Sequence, residues 1–339
     1  MCKKVDPPPP PPADRRRRPV SVCWYLLGMA VASTFSLAYL LVPIYLLTAI
    51  FALASRHPNA LVYSIPIFVS MFVPPKFSRR ALTLARPMLD YFDFESLHLS
   101  NDDDNDNDDG NRGGRRGRIL AAQPHGVLTF VAMCEAVTNP ESAMRTPTAV
   151  ASVLLRTPIL RNLMGIFNLV DASGRSLKRH LLDGDGDGDG GEGGGSSVLL
   201  YVGGIAELFK SCRDEERLYL RERKGFIKLA LTSNVDVVPV YLFGNTSVLS
   251  VLRRGPLAGL SRWTGASLTL FWGKFYLPIP RDEKLLYVVG RPIGLPHIAH
   301  PTQEDIDKWH GVYCDEVRDI YETYKERVPM YKRKKLYID

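Results

Sequence analysis

No charged residue occurs between Ser21 and Ser55, and none between Asn59 and Pro75. Such runs exclude an ordinary surface helix, which needs polar groups on its outer face. Cysteine is scarce: the five residues Cys2, Cys23, Cys134, Cys212 and Cys314 are odd in number, widely scattered and form no CxxC pair. That pattern argues against a disulfide framework and a zinc site, and it fits a reduced cytosolic face. The GxSxG elbow of serine hydrolases is missing, which disfavours a lipid hydrolase. No nucleic-acid motif accompanies the basic residues that give the 339-residue chain a formal net charge of +7, so no nucleic-acid partner is expected.

The uncharged runs are sized for a membrane. A bilayer core takes roughly 20 apolar helical residues, so the first run is long for one upright helix and the second barely suffices. Two crossings are expected, the first tilted or bent near Pro43. Arg15 to Arg18 precede them and Lys76, Arg79 and Arg80 follow, which puts both flanks in the cytosol. The length excludes a cleaved signal peptide. The organisation read from composition is therefore a disordered Pro/Arg-rich cytosolic tail (1–20), a transmembrane hairpin (21–75), a linker with an acidic low-complexity loop (76–117) and a catalytic domain (118–339) carrying an Asp/Gly-rich loop at 183–195. The basic cluster Lys332 to Lys335 suits anionic lipid headgroups or a phosphorylated co-substrate.

Apolar or β-branched runs at 118–122, 147–154, 167–171, 197–202, 236–243, 267–272 and 285–289 predict strands of an α/β fold, a mixed sheet flanked by helices. Near the C-terminus, Thr302 and Asp305 have the spacing of a capping box. Beyond them Ile306, Trp309, Tyr313, Val317, Ile320 and Tyr324 repeat at helical spacing as a core stripe.

Several motif-like stretches fail on their chemistry. Asp183, Asp185 and Asp187 alternate like a calcium loop, but Gly194 stands where a bidentate Glu is required. Gly186, Gly188 and Gly191 satisfy GxGxxG, yet they precede a strand, and the interleaved aspartates repel a pyrophosphate. His297 and His300 have no third ligand within reach, so no metal site is assigned. Asn245-Thr-Ser matches a glycosylation acceptor but falls on the expected cytosolic side.

Four stretches remain. In Gln123-Pro124-His125-Gly126, a rigid and a flexible residue frame a lone histidine after an apolar run, at a strand-to-helix turn. In LLRTPILRNL, Arg156 and Arg161 flank Pro158 and are candidates to grip phosphate. In YVGGIAELF, Gly203 and Gly204 break a strand and Glu207 opens a helix, a place suited to a carboxylate. In RERKGFIKLAL, Arg223, Lys224 and Lys228 bring cations to the next helix.

Taken in order, these stretches resemble the type-2 diacylglycerol acyltransferase family, which includes monoacylglycerol and wax-alcohol acyltransferases. The matching pieces are PHG (124–126), GGIAE (203–207), RKGFIKLAL (223–231), VPVY with FG (238–244), VVGRPI (288–293) and HPTQEDID (300–307). The resemblance implies a glycerolipid-acyltransferase-like fold behind an N-terminal membrane hairpin. It also implies a multi-pass endoplasmic-reticulum enzyme with a cytosolic catalytic domain, lipid droplets being a second location.

On this resemblance His125 is the catalytic residue, and GGIAE and RKGF belong to the active-site region. Two departures matter: Gln123 stands where the family often has the first histidine of HPHG, and Phe130 stands where distant relatives carry an aspartate.

The residue chemistry agrees with acyl transfer from acyl-CoA to a diacylglycerol hydroxyl. His125 serves as base, because an unperturbed imidazole titrates near working pH, and no covalent acyl-enzyme is needed. Glu207 orients His125 or the acceptor, and Pro124, Gly126, Gly203 and Gly204 shape the substrate and oxyanion site. Arg156, Arg161, Arg223 and Lys224 are candidates for the coenzyme A phosphates. Acyl-CoA is a co-substrate and no resident cofactor is expected. Monoacylglycerol or a long-chain alcohol is the alternative acceptor, and a non-catalytic lipid-droplet hairpin protein is the rival class. Oligomeric state is left open, homo-oligomers included.

Overall fold

Asp236–Phe243 has every residue buried, and Ile119, Ala121 and Ala122 beside it are sealed as well. Strands without a polar face belong in the middle of a sheet covered on both sides. The computed structural model describes residues 20–99, 117–183, 196–210, 215–252 and 269–339. Most of the Pro/Arg-rich tail, the acidic loop and the Asp/Gly-rich loop lie outside the described residues.

The main sheet contains β1 (Glu95–His98), β2 (Arg118–Gln123), β3 (Thr148–Val150), β4 (Leu169–Asp171), β5 (Val198–Tyr201), β7 (Asp236–Phe243) and β10 (Leu286–Val289), in the order β1-β10-β7-β2-β5-β3-β4. Within this sheet, among the described residues, only the β10–β7 pairing is antiparallel. Two small pairs flank it: β6 (Glu216–Leu218) with β11 (Leu336–Ile338), and β8 (Ser250–Val251) with β9 (Phe271–Trp272).

The helices are α1 (Val22–Ala54), α2 (Ala60–Phe72), α3 (Arg79–Leu84), α4 (Pro87–Tyr91), α5 (Phe130–Thr138), α6 (Pro140–Arg145), α7 (Ser152–Arg156), α8 (Leu160–Gly165), α9 (Gly174–Asp183), α10 (Gly204–Leu208), α11 (Gly225–Ser233), α12 (Asn245–Val248) and α13 (Gln303–Tyr324). Two apolar cores result. One contains Phe92, Phe130, Met133 and Leu242, and the other Ile227, Val237, Tyr313 and Tyr321. The expected capping box opens α13: Thr302 Oγ1 accepts from Asp305 N at 3.1 Å, and the Asp305 carboxylate accepts from Thr302 N at 2.9 Å. Its stripe is core, with Tyr313 and Val317 fully buried.

The structure departs from the strand and linker expectations at several places; the short strands β6, β8 and β11 fall outside every expected run. The run 147–154 is a strand only to Val150, because β3 lies near the sheet edge and its register with β5 covers two residues. Beyond Ala151 the chain turns into α7, with Ser152 Oγ donating to Asp171 Oδ1 at 3.0 Å. The run 267–272 yields Phe271–Trp272, paired outside the main sheet, while 267–268 lie outside the described residues. Within 76–117, read as a linker, α3 and α4 pack into the first core and β1 joins the sheet beside β10.

α1 is 33 residues long and, by length and composition, apolar enough to cross a membrane. Its first half rests on the domain: Trp24 Nε1 donates to Asp90 Oδ2 at 2.8 Å, and Phe35 meets Phe167 with ring centroids 5.5 Å apart. At Gly28 any Cβ would overlap the Pro87 carbonyl, so glycine permits the close approach of α1 to α4. Farther along, Tyr45 OH donates to Tyr63 O of α2 at 2.5 Å, while Leu47, Ile50, Phe51, Phe68 and Phe72 face outward.

Candidate active site

Three central parallel strands deliver their C-terminal ends to one place: β2 runs into Pro124-His125-Gly126, β5 into Val202-Gly203-Gly204, and β7 into Gly244-Asn245. The carboxyl edge of parallel strands is where α/β sheets hold ligands. His125 is half-buried there, its ring edge-on to Tyr201 at 5.0 Å between centroids.

The imidazole has a defined tautomer. Nδ1 lies 2.8 Å from the carbonyl oxygen of Gly126, which only accepts, so Nδ1 carries the proton and Nε2 of the neutral ring keeps its lone pair. Burial disfavours the charged ring and lowers its pKa from the ordinary 6.5, against a smaller opposing effect of the Gly126 carbonyl.

Glu207 meets His125 at the backbone. Its Oε1 accepts from the backbone N–H of His125 at 2.5 Å, and its Oε2 from the backbone N–H of Tyr219 at 3.3 Å. Glu207 therefore braces the turn, and the Gly126 carbonyl sets the ring. Burial raises the Glu207 pKa to about 7, although both backbone donors favour its charged form. Gly203 has no room for a side chain, because a Cβ would overlap the Glu207 carboxylate. Gly204 and Gly126 adopt φ of +57° and +64°, the left-handed region that favours glycine. Pro124 is buried, and its carbonyl accepts from Asn245 Nδ2 at 3.1 Å.

The four cation candidates separate. Arg223 is exposed, lies 5.1 Å over the Tyr219 ring, and its charge is felt by Glu207. Lys224 pairs with Asp307 at 2.7 Å. Arg161 donates from Nη2 to the carbonyls of Ser70, Met71 and Val73 at 2.9–3.3 Å, closing the end of α2. Arg156 is exposed on the last turn of α7. The site thus brings together His125, Glu207, Gly203, Gly204 and Arg223, while Arg161 serves the junction with α2.

The diacylglycerol acyltransferase family model matches residues 63–339. The chain belongs to the diacylglycerol acyltransferase family. It is accordingly an acyltransferase. A 2-acylglycerol O-acyltransferase 3 of Homo sapiens is 26% identical over 306 residues, covering 83% of this chain and 84% of the relative. A diacylglycerol O-acyltransferase 2 of Dictyostelium discoideum is 29% identical over 261 residues, 71% of this chain and 73% of the relative. An acyl-CoA wax alcohol acyltransferase 1 of Mus musculus is 28% identical over 225 residues, 61% of this chain and 66% of the relative. The crystal structure of a 1-acyl-sn-glycerophosphate acyltransferase from Thermotoga maritima aligns with a TM-score of 0.36 and 12% identity, over 85% of this chain and 97% of that one.

In this member of the family two further residues hold the histidine turn. Asn245 is fully buried, and its Nδ2 donates to the carbonyl of His125 at 2.6 Å as well as to that of Pro124, while its Oδ1 accepts from Val131 N at 3.4 Å. Its burial also closes the glycosylation reading. Gln123 is buried, and its Oε1 accepts from Tyr313 OH at 2.7 Å. Neither role was visible in local sequence. The one available signal for Asn245 is its position just past the buried strand β7, where Gly244 turns the chain.

Proposed function

We propose that this protein transfers a fatty acyl group from acyl-CoA to the hydroxyl of diacylglycerol, forming triacylglycerol, with His125 as general base and without a covalent acyl-enzyme. The observation that carries the reading is the His125 tautomer. With Nδ1–H held by the Gly126 carbonyl, Nε2 is the basic nitrogen, and partial burial keeps the ring neutral at physiological pH. Nε2 takes the acceptor hydroxyl proton as that oxygen attacks the thioester carbonyl. The C–S bond then breaks, and the imidazolium returns the proton to the leaving thiolate.

Backbone donors around Gly126, Gly203 and Gly204 stabilise the oxyanion, and Arg223 is the best placed of the four cations for the coenzyme A phosphates. Cys134 supports direct transfer rather than a thioester relay: it is sealed in the core, and burial raises its thiol pKa well above the ordinary range. The uncharged surfaces of α1 and α2 serve as the anchor in the endoplasmic-reticulum membrane, with the site on the cytosolic side where both lipid substrates are within reach.

The test is acceptor competition. Membranes carrying the protein receive labelled acyl-CoA with diacylglycerol, monoacylglycerol and a long-chain alcohol in turn. Preferential triacylglycerol formation supports the reading, whereas transfer to alcohol or monoacylglycerol alone reassigns the acceptor.

A further inference from the structure

Between β9 and Pro280 the chain makes a tight turn whose residues contradict its geometry. Leu277 N donates to Lys274 O at 2.9 Å, and the two central residues, Phe275 and Tyr276, have φ of +57° and +58°. This is the mirror-image hairpin turn that ordinarily takes Asn-Gly, because side chains with a Cβ rarely adopt φ above zero. Here it holds two aromatic rings outward, with Phe275 78%, Tyr276 87% and Leu277 51% exposed. Strained, water-facing aromatics contribute nothing to the core, so their placement points to a function outside it.

The base of the turn is rigid. A Cβ at Gly273 would overlap the Ile279 carbonyl, and Lys274 N donates to that carbonyl at 2.7 Å. The Lys274 ammonium pairs with Asp282 at 2.8 Å and donates to Tyr25 OH at 2.6 Å. Tyr25 lies in the first turn of α1, and Trp24, Leu26 and Leu27 beside it are 42–48% exposed. The turn is thus clamped to the start of the uncharged helix, and its rings extend the apolar surface that α1 presents.

We infer that the Lys274–Ile279 turn is a second membrane contact, in which Phe275, Tyr276 and Leu277 enter the boundary between headgroups and acyl chains beside the start of α1. Aromatic rings with a polar edge favour that depth, and a clamped turn enters it with little ordering left to do. Contact at this point would fix the domain's orientation on the bilayer in addition to tethering it. The inference rests on the reading of α1 and α2 as the membrane anchor.

The test uses the full chain in phosphatidylcholine vesicles, with all native cysteines replaced by alanine. Single variants Tyr276→Cys, Ile50→Cys and Glu304→Cys each carry an environment-sensitive fluorophore and are quenched by nitroxide lipids labelled at shallow or deep positions. Tyr276 is expected to be quenched at least about threefold more than the exposed Glu304, and best by the shallow label, with Ile50 best quenched by the deep one. If Ile50 is quenched while Tyr276 behaves like Glu304, the anchor stands and this inference falls. If neither differs from Glu304, both fall. A Tyr276 probe shielded from lipid and aqueous quenchers alike would mean burial against a second copy, and would also overturn it.

Discussion

Asn245 Nδ2 lies 2.6 Å from the carbonyl oxygen of His125, at the point where the end of β7 meets the turn after β2. The same amide reaches the Pro124 carbonyl, and Gly126 lies so close that a Cβ there would stand 2.8 Å from it. One buried side chain thus fixes three consecutive residues of the histidine turn. Asn245→Asp keeps the shape but replaces the donor with an acceptor facing two carbonyls. A fall in kcat of about 10²-fold is expected, with the KM for acyl-CoA within a few-fold, since misplacement by an ångström is enough for such a loss. Steady-state kinetics on detergent-solubilised protein checks it.

The two titrating groups at the site act on stability with opposite signs. His125 has its pKa lowered, so the native state resists protonation and stability falls as pH drops below 6.5. Glu207 is raised from 4.5 to about 7, so the native state holds the extra proton, and stability falls as pH rises through that window. Glu207→Gln removes the second effect only. The stability of the variant relative to wild type should therefore rise by about 3 kcal/mol between pH 4.5 and pH 8, which thermal or denaturant unfolding at several pH values measures.

Arg223 and Arg161 are expected to part company in kinetics. Arg223→Ala should raise the KM for acyl-CoA by roughly tenfold with a smaller change in kcat, the loss of one charge-assisted phosphate contact. Arg161→Ala should leave that KM unchanged and lower thermal stability, because its guanidinium closes the carbonyl end of α2. A KM effect from Arg161 alone would reverse the assignment.

Behind Asn245, Lys334 and Glu216 form a buried ion pair at 3.7 Å, with Thr246 Oγ1 donating to Glu216 at 3.2 Å and Lys334 donating to Ser247 at 3.1 Å. Burial raises the Glu216 pKa, against the pull of Lys334. Lys334→Met leaves a carboxylate without its cation and should cost about 3–5 kcal/mol, while adding Glu216→Gln should recover much of that. Denaturant unfolding of the single and double variants tests the coupling.

The parts that were legible in sequence are those whose cause is local. β2, β5 and β7 read as continuous apolar runs because both faces are covered, and the stripe of α13 repeats every three or four residues because one face meets the core. His125 and Glu207 stood out because glycine and proline mark the turns that carry them. What stayed hidden depends on partners far away in the chain. β1 is a four-residue, half-polar strand that only its pairing with β10 explains. The bond between Glu207 and the His125 backbone, the grip of Asn245, and the use of Arg161 on α2 join residues about 80 to 120 positions apart.

The central claim is that Nε2 of His125 is the base of acyl transfer. It is tested most directly with membranes from cells that make no triacylglycerol of their own, carrying wild type, His125→Ala or His125→Gln at matched levels, with labelled acyl-CoA and diacylglycerol. Loss of labelled triacylglycerol by about 10²-fold or more in both variants, with the protein still membrane-inserted, is the predicted result. Near-wild-type transfer by either variant would contradict it.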